Sequence, residues 1–217
     1  MTTIQGGSVF DFTQRNKPVS NSVIVEELND FASVHSIGKG ANGIVASNSY
    51  KRFVYVMSGK LECRNKTTGH TWCCPAGSFT IFSENQIAGF WGAEDSVVLR
   101  IVVINPTEIY QELEDEKAYS LKELVSGKPG EISYIHILSC GYTTIWTVSL
   151  PKGKHFESMS LNSNMVYMCL DGIAEVDYGD ENCRIEKNQS FYGLKGYPIQ
   201  VTSDSDNTRL LIMKDIL

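Results

Sequence analysis

Apolar residues in this chain come in short runs of strand length, and turn-forming residues separate them. FVYVM, FTIF, TTIWTVSL, MVYMCL and RLLIM are examples. The runs are rich in Val, Ile, Tyr, Phe and Thr, and Gly, Asn, Asp or Pro interrupts them every ~8–12 residues, which is typical of antiparallel sandwiches and barrels. The pattern therefore predicts an all-β protein.

The chain also contains an internal repeat. SIGKG at 36–40 aligns with SLPKG at 149–153 at an offset of 113, and Gly59 then meets Gly172. Further along, Ser-Phe at 78–79 meets Ser-Phe at 190–191 at an offset of 112. The repeat predicts two similar halves that differ by a single residue in one loop.

A helical pattern is confined to the middle of the chain. Residues 106–125 carry acids in their first turns and place Ile109 and Leu113 four residues apart. Ser120 followed by Glu123 forms a capping box, which predicts a second helix start. We therefore predict two β domains and a helical linker, with bounds of 1–106, 107–127 and 128–217.

The glycine spacing resembles that of a known family. Gly40 to Gly59 and Gly153 to Gly172 are both 20-residue spans with the frame of the first cupin motif, G-x5-H-x-H-x3-E-x6-G. GHTWCCPAG, from Gly69 to Gly77, matches the Gly-Pro-Gly frame of the second cupin motif. The chain thus resembles a two-domain cupin, or bicupin, and the resemblance implies two jelly-roll β-barrels.

The same resemblance indicates where the family binds its metal. None of the corresponding residues here is His or Glu, whereas first-row metals need several such donors. In the first half the four positions are Ala46, Asn48, Arg52 and Thr80, and in the second half they are Met159, Leu161, Met165 and Tyr192. The motifs are therefore degenerate, and we expect neither a metal nor any other cofactor.

The two sets of residues predict different barrel interiors. The second set is apolar and is expected to fill its barrel as a structural core. In the first barrel Arg52 is the candidate ligand-binding residue, because a guanidinium pairs well with a carboxylate or phosphate. Asn48 and Thr80 would add hydrogen bonds, and Ala46 would leave space. Alternatively, Arg52 leaves the barrel mouth or pairs with an internal acid, for which Glu62, Glu84 and Asp95 are candidates.

Other chemistry is not visible in the sequence. The four histidines, at positions 35, 70, 136 and 155, show no H-x-H or H-x3-H spacing. No nucleophile motif, P-loop or dinucleotide-binding glycine pattern is present. No catalytic residue is therefore predicted.

Charge and composition limit the classes of binding partner that we expect. The net charge is −6 and no Lys/Arg cluster occurs, so neither nucleic acid nor a membrane surface is an expected partner. No apolar run reaches the ~18–20 residues that span a bilayer, and the start lacks the features of a signal peptide. We expect a cytoplasmic protein with six reduced cysteines. A homodimer is compatible with the sequence, which fixes no oligomeric state.

Three functions are consistent with these features. The first is a metal-free protein that binds a small polar or anionic metabolite in its N-terminal barrel. The second is an enzyme, either a metal-independent isomerase, epimerase or lyase, or a metal enzyme whose ligands have moved. The third is a purely structural relative of a metal-binding bicupin.

Overall fold

Short antiparallel strands form almost all of the regular structure, as the short apolar runs between turn residues predict. The structure is a computed structural model that describes residues 4–46, 50–85, 87–125, 130–159 and 162–217. Contacts divide the chain into two units. The N-terminal barrel comprises residues 13–106 and 111–123, and the C-terminal barrel comprises the described residues of 4–12, 107–110 and 124–217.

The N-terminal barrel consists of two sheets that enclose an apolar core. In order across the larger sheet, the strands are β12 (Tyr119–Ser120), β8 (Ser78–Phe82), β5 (Lys51–Ser58), β10 (Ser96–Val103), β3 (Ala32–Ile37) and β2 (Val23–Glu27). The smaller sheet contains β4 (Asn42–Ala46), β9 (Ile87–Gly92), β6 (Lys60–Asn65) and β7 (Thr71–Pro75). Val54, Val56 and Val98 of the larger sheet pack in one core with Leu61 and Phe90 of the smaller sheet.

The C-terminal barrel repeats this arrangement. Its larger sheet contains, in order, β1 (Val9–Asp11), β19 (Gln189–Gly193), β16 (Met165–Asp171), β21 (Asn207–Lys214), β14 (Thr144–Pro151), β13 (Ser133–Ser139) and β11 (Glu108–Ile109). Its smaller sheet contains β15 (His155–Met159), β20 (Pro198–Ser203), β17 (Ile173–Tyr178) and β18 (Glu181–Glu186). Met165, Tyr167, Phe191 and Ile212 belong to the buried core between the two sheets.

Among the described residues of the predicted helical linker, one turn is helical. Helix α1 covers Phe12–Arg15, and α2 covers Leu121–Leu124, directly after the predicted cap Ser120. The rest of the helical prediction is wrong, because β11 pairs with β13 and β12 pairs with β8. Strand pairing with distant residues overrides the local helical preference there.

The N-terminal segment also differs from the prediction. We predicted that residues 1–106 form one domain, whereas β1 is hydrogen-bonded to β19 and therefore extends a sheet of the C-terminal barrel. The predicted bounds of the linker change in the same way, since β11 contributes to one barrel and β12 to the other. An edge strand can come from any part of the chain, so its partner is not visible in local sequence.

The predicted repeat is correct in outline but its second offset is wrong. Val54 pairs with Thr80 in the N-terminal barrel, and Tyr167 pairs with Phe191 in the C-terminal barrel. Thr80 thus corresponds to Phe191, at an offset of 111 instead of 112. The preceding turns agree with this, because Gly77 and Asn188 both have positive φ angles, 80° and 70°.

Because the observed offset differs from the predicted one by one residue, the side chains that fill the C-terminal barrel also differ from the prediction. A shift of one residue moves a side chain to the opposite face of a strand. Phe191 therefore lies in the core, whereas Tyr192, which was predicted there, lies on the other face and is paired with Val166. Met165 lies in the core as predicted. Leu161 and the side chain of Met159 lie outside the described part of the chain.

The cysteines are mostly core residues. All six are free thiols, and Cys63, Cys74, Cys140 and Cys169 are buried. Burial raises the pKa of the Cys74 and Cys169 thiols to about 12, so both are protonated at neutral pH. These thiols act as small apolar side chains.

Candidate functional site

Arg52, the predicted ligand-binding residue, is only 7% exposed and is held by the backbone next to it. Its Nη1 donates hydrogen bonds to the carbonyl oxygens of Tyr50, at 2.6 Å, and Lys51, at 3.2 Å. Arg52 Nη1 was predicted to donate hydrogen bonds to a ligand, whereas here these two backbone carbonyl oxygens accept them. Arg52 is also not among the described residues that line a cavity inside the N-terminal barrel.

Of the other predicted site residues, only Thr80 has a side chain within the described structure. Thr80 is fully buried, and its hydroxyl accepts a hydrogen bond from Trp72 Nε1 at 3.1 Å. Ala46 is the last residue of β4, and its side chain lies outside the described part of the structure. Asn48 lies outside the described residues. The predicted set therefore remains a prediction, and the described geometry places a cavity next to other residues.

That cavity lies inside the N-terminal barrel and has a volume of about 190 Å³. Most of the described residues that line it are apolar. They are Val23, Val25, Val54, Leu61, Phe82, Phe90 and Val98, together with Gly43 and the polar residues His35, Asn42 and Arg100. Asn42 is exposed and Val25 is 37% exposed, so the cavity opens to solvent beside these two residues.

Two strands far apart in sequence bring His35 and Arg100 into the cavity. In the pairing of β3 with β10, His35 lies opposite Val98, and Ser33 lies opposite Arg100. Alternate residues on a strand share a face, so these four side chains point to the same side of the sheet. Val98 belongs to the core between the sheets, which identifies that side as the barrel interior.

His35 is a neutral hydrogen-bonding group in this wall. It is 8% exposed, and its Nε2 lies 3.0 Å from the Ser33 hydroxyl. Burial, and secondarily the nearby positive charge of Arg100, lower the pKa of His35 from 6.5 to about 4. At neutral pH the imidazole is therefore uncharged and has one donor and one acceptor nitrogen.

Arg100 is the unusual residue of the site. Its Nε is buried, and within the described residues no atom accepts a hydrogen bond from it. None of the ion pairs found in the described part of the chain includes Arg100. Because a guanidinium keeps its charge in proteins, the wall of the cavity contains a cation with unused donor capacity.

The sequence contains a signal for Arg100. Arg100 interrupts the run SVVLRIVV, in which all the remaining residues are apolar except the initial Ser. A single charge at an alternating position of a buried strand is unusual unless it has a partner. The resemblance to the cupin motif indicates Arg52 instead, because that position corresponds to a metal ligand.

The C-terminal barrel shows what these positions contain when a barrel is packed. In the N-terminal barrel, Val54, Arg100 and Ser33 lie in one row across three strands. The corresponding row in the C-terminal barrel is Tyr167, Ile212 and Trp146.

The adjacent row shows the same difference. His35 lies beside Val98, whereas Val148 lies beside Leu210 at the corresponding positions. At positions where the C-terminal barrel has apolar side chains, the N-terminal barrel thus has a guanidinium, an imidazole and a cavity.

The described residues do not fit a cupin-type metal. No group of three or more His, Cys, Asp or Glu side chains converges anywhere in the described part of the chain. His35 is the single residue of those four types among the described residues of the cavity wall, and Arg100 beside it repels a cation. We therefore derive no chemistry that passes through a metal at this cavity.

Comparison with solved structures identifies the fold. The chain matches a cupin 2 conserved barrel domain protein from Leptotrichia buccalis with a TM-score of 0.84 and 16% identity, covering 99% of both chains. It also matches oxalate decarboxylase of Bacillus subtilis, a protein with Mn(II) centres, with a TM-score of 0.60 and 10% identity. That match covers 97% of this chain and 78% of the other.

At such identities the likeness concerns the fold. No family model and no curated protein matches the sequence. None of the helices in the described part of the chain has the length and apolar character needed to cross a bilayer.

Proposed function

We propose that this protein, which has the two-barrel cupin fold, binds a small organic anion in its N-terminal barrel without a metal. The C-terminal barrel is structural in this proposal. A single observation carries the proposal: the buried Nε of Arg100, on the wall of a cavity of about 190 Å³, has no hydrogen-bond acceptor among the described residues. A carboxylate or phosphate oxygen supplies that acceptor and compensates the charge.

The surroundings of Arg100 support an anion. The walls are mostly apolar, so an electrostatic contact there is stronger than at a fully solvated surface. His35 is neutral, and it therefore adds a hydrogen bond without a second charge. The exposed Asn42 at the opening provides a route from solvent into the barrel.

The packing of the C-terminal barrel supports its structural role. Tyr167 and Phe191 are 0% and 1% exposed, and both lie in the apolar core between its sheets. Their ring centroids are 6.4 Å apart, within the range of favourable aromatic pairs.

A second candidate function is a metal-independent isomerase or lyase. The observation in its favour is His35, because a neutral imidazole in a substrate-sized cavity is able to accept a proton. Against it, the described lining contains no Tyr, Lys, Asp or Glu that would serve as a partner acid. A cytoplasmic location and the absence of nucleic-acid partners remain predictions from the sequence.

Calorimetric titration tests the proposed function. Monocarboxylates, dicarboxylates, phosphate and neutral sugars are titrated at pH 7 into the wild type, Arg100→Met and the control Arg64→Met, whose arginine is exposed on β6. We expect saturable binding of an organic anion to the wild type, binding at least ~10-fold weaker in Arg100→Met, and no change in Arg64→Met. Binding of sugars alone, equal binding by Arg100→Met, or no binding at all would contradict the proposal.

A further inference from the structure

The cavity lies where the C-terminal barrel has an aromatic side chain. Val54 lines the cavity, while the residue at the corresponding position of the other barrel is Tyr167, which is fully buried. The isopropyl group of Val54 therefore leaves open the space that an aromatic ring fills in the second barrel. A cavity of roughly 150 Å³ accommodates benzene in another protein, so about 190 Å³ accommodates a six-membered ring with a small substituent.

The charges in the cavity accommodate one anionic group. Arg100 is the single cationic side chain among the described lining residues, and His35 is neutral. A second carboxylate inside the cavity, away from the opening beside Asn42, would face apolar side chains and lose its hydration without a partner.

The remaining walls suit an apolar body. Leu61, Phe82 and Phe90 come from different strands and line the same cavity. Phenyl rings pack favourably against another ring in edge or offset geometry. A polyhydroxylated ligand such as a sugar acid would leave most of its hydroxyl groups without hydrogen-bond partners against these walls.

We infer that the ligand is a monocarboxylate with a compact six-membered ring, of the benzoate type. This inference rests on the proposed function, since it assigns the carboxylate to Arg100. The ring occupies the space beside Val54, and the carboxylate accepts the hydrogen bonds of the guanidinium.

Matched probes test the three parts of the inference separately. Benzamide keeps the ring and removes the charge, terephthalate adds a second charge, and acetate removes the ring. We expect the wild type to bind benzoate at least ~10-fold more tightly than each of these, because each probe loses one feature that the cavity accommodates.

Substitution of Val54 tests the location of the ring. Val54→Tyr introduces the residue of the second barrel and is expected to reduce benzoate binding at least ~10-fold while acetate binding persists. Val54→Leu adds a single methylene and provides a milder variant if the tyrosine prevents folding, and it is expected to weaken benzoate relative to acetate. Circular dichroism and melting curves verify that each variant is folded.

The outcomes separate this inference from the proposed function. Tight binding of a dicarboxylate or a sugar acid that depends on Arg100, with none of benzoate, would overturn the inference and leave the proposed function intact. Equal binding of benzamide and benzoate would overturn the role of the anion and thus both proposals. Benzoate binding that survives Val54→Tyr unchanged would overturn the placement of the ring.

Discussion

We expect acidification from pH 7 to pH 4 to destabilise the wild type more than His35→Val. The difference between the two losses in the free energy of unfolding is expected to be about 3 kcal/mol. The reason is the pKa of His35, which burial lowers from 6.5 to about 4. Between these values the unfolded chain binds a proton at His35 and the folded chain does not. Stability therefore falls as the pH falls through this window, and a difference of 6.5 against about 4 corresponds to about 3 kcal/mol.

The variant and the control isolate this residue. Valine is the residue at the corresponding position of the C-terminal barrel, Val148, so it suits a packed strand of this kind. His155→Val makes the same substitution at an exposed histidine and is expected to retain the pH dependence of the wild type. Urea unfolding at several pH values measures the difference. Parallel curves for the wild type and His35→Val would show that the buried histidine carries no such penalty.

Arg100→Ile is expected to stabilise the ligand-free protein by about 1–3 kcal/mol while it abolishes anion binding. The substitution introduces the residue of the C-terminal barrel, Ile212, at the corresponding position. It removes a buried donor that has no acceptor among the described residues, and the cost of leaving such a group unpaired is of that size. A site that improves binding at the expense of stability is common among ligand-binding proteins.

Denaturant unfolding with and without an anion measures both effects. The exposed control Arg64→Ile is expected to change the free energy of unfolding by less than ~0.5 kcal/mol. A saturating anion is expected to stabilise the wild type and to leave Arg100→Ile unchanged, since stabilisation by a ligand requires binding to the folded state. Loss of more than ~1 kcal/mol in ligand-free Arg100→Ile would show that Arg100 is a structural residue.

Both predictions concern residues that the glycine-framed motifs did not indicate as a site. His35 and Arg100 are 65 positions apart, and neither belongs to the glycine-framed motifs. They become neighbours because β3 and β10 pair in the register that places His35 opposite Val98. Proximity of this kind depends on pairing between distant strands, which local pattern does not encode.

Arg52, which is buried, and Arg100, which is half-buried, show why residue type alone is insufficient. Both are cationic residues in mostly apolar strands of the same sheet. Only the three-dimensional arrangement shows that Arg52 donates to two nearby carbonyl oxygens, whereas Arg100 faces a cavity. A hydrogen-bond acceptor on the backbone is present at every residue, so its availability depends on geometry and cannot be deduced from a motif.

The sequence by itself determined the all-β class, the two-fold repeat and the resemblance to a bicupin. These features are local or periodic: short apolar runs rich in β-forming residues predict strands, and glycines at fixed spacing mark the turns. Only the three-dimensional pairing establishes the register of β19 against β16, the place of β1 in the C-terminal barrel and of β12 in the N-terminal barrel, and the position of the cavity. A one-residue change in register reverses the faces of a strand, so a match such as Ser-Phe with Ser-Phe leaves the interior side chain undefined until the hydrogen-bond pairing is known.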